Sequence, residues 1–359
     1  MTSDDAPPRE RASRRSRRRQ RPRWRRIGRR VFTAAIVLVL VTVTYYVGLV
    51  AYADNRVQRV AALRPDGPEI VLPQQQRGAE NYLIVGSDEG ERDTVLLAHL
   101  SATGERALAV VFPRDVYVDV PACTGGDGEP SEPYGGAFGS VLPEVGAGCL
   151  VRTVQVLTGL RVDHYVQLDL AGFPAMVDAL GGVPLCLDSP LTDPASGLDL
   201  PAGTTMLDGV QTLPFLRLES VRGAAETERI RRQQQFLGSV VDRSLAARTL
   251  VNPVRLTGFA RATSEALTLD PETTLRDLQR LVGLLSDLGS PGVPLLTAPI
   301  GDPDYPPTDG SPPYALLDEQ RGRQLYLSII EETALPVPPR GASPSAGGPR
   351  AVGAPRACG

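Results

Sequence analysis

The chain has 359 residues, 42% of them hydrophobic and 22% charged, enough for one large core or two modest ones once polar ends are set aside. All 38 basic residues are Arg, so any side chain that grips a phosphate here is a guanidinium. No CxxC pair accompanies the four Cys, and the only imidazoles are His99 and His164, which leaves a structural zinc site without its ligand spacing.

In chain order, residues 1–30 form an Arg-rich cytoplasmic tail. Thirteen Arg stand there against Asp4, Asp5 and Glu10, so the net of −3 hides a basic head and an acidic remainder. The uncharged run VFTAAIVLVLVTVTYYVGLVAYA, residues 31–53, follows. As a helix it rises about 35 Å, more than a hydrocarbon layer of about 30 Å, so one transmembrane helix is expected. Positive charge beside a span is retained in the cytoplasm, which predicts a single-pass protein of the cell membrane with everything after residue 53 outside the cell. Attraction to anionic lipid accounts for the Arg cluster, and no nucleic-acid partner is expected for an acidic exported body.

Residues 54–79 read as a polar linker with at most one short strand. Residues 80–334 read as one extracellular domain, and residues 335–359 as a disordered Pro/Gly/Ala-rich tail with little to bury. Within the domain, NYLIVGS, TVLLAHLS, RALAVVFP and DHYVQLDL are strand-like runs of branched apolar residues. CLVRTVQVLTGL, LAGFPAMVDALGG, TERIRRQQQFLGSVVDRSLAART and PETTLRDLQRLVGLLSDLG carry helical spacing. Interleaved in this way they predict an α/β fold, a three-layer α-β-α sandwich with a central mixed sheet. Cys123 follows a strand-like VYVDVPAC and Cys149 precedes an apolar helical pattern, so the two flank a Gly-rich loop and are expected to pair in an oxidising space. Cys186 reads as a buried strand thiol, and Cys358 falls in the tail.

Several polar groups stand out against this frame. Asp88 and Asp93 occupy a loop after a strand end, where α/β sheets place ligands, and two carboxylates would suit Mg²⁺. An ordinary Asp-bearing turn is the competing reading. Arg114 and Asp115 follow another strand and read equally as a strand-end ion pair. Arg229 and Gln233 share a helix face at i,i+4, as a solvated basic face also would.

Taken in order from Asn81 to about Asp270, NYLIVGSD, RDTVLLAHL, VFPRDVYVDVP, LTGLRVDHYVQLDLAGFPAMVDALGGVPLCL, SGLDLPAGTTMLDGVQTLPFLR and ERIRRQQQFLGSVV resemble the successive signatures of the LytR-CpsA-Psr family. The resemblance implies a membrane-anchored phosphotransferase. Such an enzyme moves a glycopolymer from a polyprenyl pyrophosphate carrier to a peptidoglycan acceptor, with Mg²⁺. Carried over by position, Asp88 and Asp93 match the metal-associated acids. Arg114, Arg217, Arg229 and Gln233 match the pyrophosphate contacts, and Arg92 is shifted by one from the place of a further family Arg, where this chain has Glu91. Asp93 and Asp115 are both open as the base that draws the acceptor proton.

Departures accompany the match. Glu91 and Glu219 stand where the family has Arg, and Ala137 and Gly139 where it has Lys and Asn. They keep a second reading open, a non-catalytic relative that binds lipid-linked glycopolymer or peptidoglycan. A transcriptional regulator is a remote third, resting only on the basic head.

Overall fold

The computed structural model describes residues 23–87, 94–124, 130–187, 189–218, 251–287, 294–306 and 313–336, with isolated positions between 236 and 249. The chain divides into two units, residues 1–51 and 52–359. In the first, helix α1 (Arg23–Asp54) continues into the start of the second. Its segment Ile27–Asp54 contains an 18-residue window with a mean hydropathy of 2.3 that is 6% buried, so it is long and apolar enough to cross a membrane.

The second unit opens with β1 (Gln58–Arg59), β2 (Glu80–Ser87), β3 (Thr94–Leu100), β4 (Ala107–Phe112) and β5 (Val116–Val120). Short strands β6 (Cys123–Thr124), β7 (Pro130–Ser131) and β8 (Tyr134–Ala137) lead into helices α2 (Val141–Val145) and α3 (Ala147–Thr158). Then come β9 (His164–Asp169), α4 (Phe173–Leu180), β10 (Val183–Leu187), β11 (Leu191–Asp193), β12 (Leu198–Leu200), β13 (Gly203–Leu207) and α5 (Gly209–Arg217). The described elements end with α6 (Pro253–Ala266), β14 (Leu267–Leu269), α7 (Leu275–Asp287), β15 (Leu295–Thr297), β16 (Ile300–Tyr305), β17 (Tyr314–Leu317) and α8 (Glu319–Ile330).

The central sheet runs β1-β14-β9-β2-β3-β4-β15. Its β2–β3, β3–β4 and β9–β14 pairs are antiparallel and its β2–β9, β4–β15 and β1–β14 pairs parallel, so the expected mixed sheet is present. Alternation along β2 explains the layers: Leu83 and Val85 join a core with Leu150, Val154 and Ile329, while Tyr82 and Ile84 face Leu278, Leu281 and Leu284 on the other side. Helices α3 and α8 thus cover one face and α7 the other. A further apolar cluster is built by α4, α5 and α6 with β10–β13 around Phe173, Leu180, Leu185 and Phe215.

A second sheet, β16-β17-β5-β8, is also present, and of its strands only β5, within the strand-like VYVDVPAC, is expected from sequence. The helix expected over TERIRRQQQFLGSVVDRSLAART lies largely outside the described residues.

Two expectations change. The segment read as a linker is part of the fold: β1 pairs with β14, Ala62 and Ile70 are buried, and the Val71 amide donates to Gly159 O at 2.9 Å. Buried Gln76 donates from Nε2 to the carbonyls of Val71 and Gly159 and accepts the Arg161 amide at 2.7 Å. Polar residues there satisfy backbone groups and do not mark a loose chain.

The second change concerns Cys186, which is half-buried and disulfide-bonded and not a free thiol. Along β10 the buried positions are Val183, Leu185 and Leu187, and alternation turns Cys186 to the other face. The Cys123–Cys149 bond is present as expected, with Cα atoms 5.5 Å apart.

Candidate active site

Register brings the candidate segments to one end of the central sheet. Gly86 pairs with Thr94, Val95 with Phe112, and Ser87 with Asp169. The C-terminal ends of β2, β4 and β9 therefore meet the start of β3, the position at which α/β sheets hold ligands. Asp88, Glu91, Arg92 and Asp93 lie outside the described residues, but the chain on both sides of them is fixed at this end. No cluster of three or more His, Cys, Asp or Glu suited to a metal occurs among the described residues.

Arg114 and Asp115 form a corner at the same end. Pro113 has no amide hydrogen to continue the β4 ladder, and the chain turns out of the central sheet into β5. Two foreign segments clamp the corner: Gly139 N donates to Arg114 O at 2.8 Å, and Ala315 N donates to Asp115 O at 3.0 Å. Both side chains are exposed while their backbone is held. The geometry gives the Gly at 139 a consequence that its sequence position alone did not reveal. A Cβ at 139 would stand 3.0 Å from Arg114 Cβ and 3.2 Å from its carbonyl oxygen, so a side chain here presses directly on the candidate cation.

Arg217 is the last residue of α5, where the negative end of the helix dipole favours a cation. The helix starts at a capping box, with Asp208 accepting the Gln211 amide and the Gln211 side chain accepting the Asp208 amide. Its first residue is pinned to α4, since Gly209 N donates to Asp178 Oδ1 at 2.8 Å. Helix α4 in turn follows β9 through a short turn whose Asp169 accepts the Ala171 amide. Arg114 and Arg217 both have interaction partners in the folded chain. Glu219, Arg229 and Gln233 lie outside the described residues.

The remaining sequence candidates do not join this site. His164 starts β9, stacks on Tyr82 at 4.5 Å and bonds Thr273 Oγ1 through Nδ1 at 2.9 Å, a packing role at the opposite sheet end. Buried His99 shares its Nδ1 hydrogen bond with Asn81 Oδ1 at 2.8 Å. A cavity of about 260 Å³ lined by His99, Arg106, Leu108 and Ile329 also lies at that end. Four residues of strand, roughly 13 Å, separate the Leu108 level from Phe112, so the cavity is remote from Arg114.

The family model LytR_cpsA_psr matches residues 46–302. The "Probable cell wall biosynthesis protein LcpB" of Corynebacterium glutamicum is 32% identical over 244 residues, covering 62% of this chain and 53% of that protein. The "Polyisoprenyl-teichoic acid--peptidoglycan teichoic acid transferase TagU" of Oceanobacillus iheyensis is 27% identical over 173 residues, 47% of this chain and 52% of that one. The chain thus spans about half the length of these curated relatives. Among solved structures, the Lin1025 protein from Listeria innocua superposes with a TM-score of 0.51 at 19% identity, covering 72% of this chain and all of that one, a likeness of fold.

Proposed function

The chain belongs to the LytR_cpsA_psr family, and from that premise we propose that it is a membrane-anchored phosphotransferase acting outside the cell. Its donor is a polyprenyl-pyrophosphate-linked glycopolymer and its acceptor a sugar hydroxyl of peptidoglycan. The observation that carries the reading is the Arg114–Asp115 corner, clamped by Gly139 and Ala315 beside the strand ends that flank residues 88–93. The names of the relatives support it, since one is a peptidoglycan teichoic acid transferase and one a cell wall biosynthesis protein.

The chemistry follows from the groups. The acceptor oxygen attacks the phosphorus next to the polymer sugar, a new P–O bond forms, and the bond to the bridging oxygen breaks so that polyprenyl phosphate leaves. Phosphoryl transfer asks mainly for positioning and for neutralisation of spread charge. Arg114, Arg217 and Arg229, with Arg92 if it reaches, supply bidentate donors for the phosphate oxygens, and Gln233 an uncharged one. Asp93 or Asp115 takes the hydroxyl proton. Asp88 and Asp93 are hard oxygen donors that would hold Mg²⁺, which when bound adds positive charge at the pyrophosphate. The Arg-rich head keeps the N-terminus cytoplasmic and the folded unit outside.

A second reading, binding without turnover, is favoured by Gly139. Position 139, where the family places Asn, is a Gly packed on Arg114 and brings no polar side chain of its own. Both readings face one test with the full chain in lipid nanodiscs, a short polyprenyl-pyrophosphoryl saccharide and peptidoglycan oligomers, scoring released polyprenyl phosphate. Mg²⁺-dependent release that EDTA abolishes and Arg114→Ala lowers about 100-fold is the transferase result, a loss on the scale of one transition-state donor. Tight binding of the donor with no release in any condition makes the protein a binder.

A further inference from the structure

We propose that the outer face of the second sheet, built on Tyr117, Tyr305 and Tyr314, is the docking platform for the acceptor glycan strand. The inference rests on the transferase reading and names a subsite for its acceptor.

Strand alternation makes the platform. In β5, Val116, Val118 and Val120 are buried and Tyr117 and Asp119 face the other way. In β17, Ala315 and Leu317 pack on the first core, which sends Tyr314 and Leu316 to the same outer side. Tyr305 pairs in register with Tyr314 across the β16–β17 ladder. The Tyr117 ring gathers the three, with centroids 5.7 Å from Tyr305 and 5.6 Å from Tyr314 at interplanar angles of 59° and 56°. On its other flank it leans over Gly135, where an added Cβ would collide with the Tyr117 hydroxyl. All three tyrosines are half-buried, so each keeps part of a ring at the surface.

Charge selects the occupant. Strands β5, β8, β16 and β17 contain Asp119, Asp302 and Asp304, all exposed, and no basic residue. Such a face repels phosphate polymers and anionic lipid surfaces. Apolar rings beside acceptor-only carboxylates suit instead a neutral sugar chain, whose C–H faces lie on the rings and whose hydroxyl and amide hydrogens reach the acids.

Continuity with the candidate site fixes the role. Tyr117 stands two residues beyond Asp115, roughly 7 Å of extended chain, and Asp115 itself is bonded to the β17 strand through Ala315. Donor and acceptor then occupy chemically opposite surfaces, guanidinium on one side of the corner and tyrosine with carboxylate on the other.

The test separates this proposal from the transferase reading by measuring binding without donor. Peptide-free tetra-N-acetylglucosamine is titrated into the full chain in nanodiscs by calorimetry, with a phosphate-bearing polymer as the second probe. The platform requires saturable binding of the tetrasaccharide that weakens at least about tenfold in Tyr117→Ala, stays within about twofold in Tyr117→Phe, and falls again in Gly135→Val. It also requires that any binding of the anionic polymer be unaffected by Tyr117→Ala, since this face repels it. In turnover, Tyr117→Ala should raise the acceptor KM with kcat and the donor KM unchanged. If Tyr117→Ala lowers the thermal midpoint, Tyr305→Leu and Tyr314→Leu replace it. Wild-type glycan affinity and acceptor KM in folded ring-removal variants overturn the platform while leaving the transferase standing. Tyrosine-dependent glycan binding in a chain that releases no polyprenyl phosphate does the reverse.

Discussion

His99 is held neutral by its surroundings. Its Nδ1 meets Asn81 Oδ1, which only accepts, so the ring carries its proton on Nδ1. Asn81 is oriented by donating from Nδ2 to Arg161 O and from its backbone N–H to Asp163 Oδ2. Burial lowers the His99 pKa from 6.5 to about 4, and the Glu332 carboxylate only partly offsets this. Between those values the unfolded chain binds a proton that the folded chain refuses. Stability from this group is therefore complete above about pH 6.5 and is lost as pH falls toward 4, by about 3 kcal/mol in all. Chemical denaturation at pH 7, 5.5 and 4.5 should show the loss, and His99→Gln should flatten that part of the profile. An unchanged slope in the variant would mean that other groups set the acid limit. Asp270, fully buried, accepts the amides of Tyr165, Glu272 and Thr273 and the Thr273 hydroxyl. Asp270→Ala strands those donors, and a loss of about 3 kcal/mol in unfolding free energy is expected.

At the scale of elements, the segment before β2 carries stability that neither composition nor periodicity reveals. Arg59 donates to the carbonyls of Asp270 and Thr273 at 2.8 and 3.0 Å, tying β1 to the turn after β14. A chain starting at residue 80 should unfold at least about 3 kcal/mol more easily than one starting at residue 54, because it loses Gln76, Arg59 and the buried Ala62 and Ile70 together. Equal midpoints would return the segment to the status of a linker. The Cys123–Cys149 bond closes a loop of 26 residues, worth about 3.5 kcal/mol by loop-closure entropy. Cys149→Ala should cost about that much, since Cys149 is also fully buried in α3.

For the whole molecule, what could be read from the sequence divides by range. Strands β2, β3, β4 and β9 declare themselves by branched apolar runs, and α3, α4 and α7 by helical spacing, so the layers follow from local pattern. The second sheet, apart from β5 in VYVDVPAC, escapes that logic because its strands are short and distant in sequence. Ala315 meets Val116 across about 200 residues, and GDPDY reads as a turn by composition. Arg114 is legible as a candidate from VFPRDVYV, but its backbone clamp on Gly139 is a tertiary contact that no local spacing encodes. Cys186 misleads because a disulfide leaves no mark on an ordinary strand pattern.

The most direct measurement is the fate of the phosphorus. With a ³¹P-observed polyprenyl-pyrophosphoryl saccharide, peptidoglycan oligomers, Mg²⁺ and the full chain in nanodiscs, a phosphodiester resonance coupled to a peptidoglycan sugar should grow in step with polyprenyl phosphate. Both signals should grow about 100-fold more slowly in Arg114→Ala. Free sugar phosphate in place of the diester, or a donor bound tightly and left intact, would contradict the transferase.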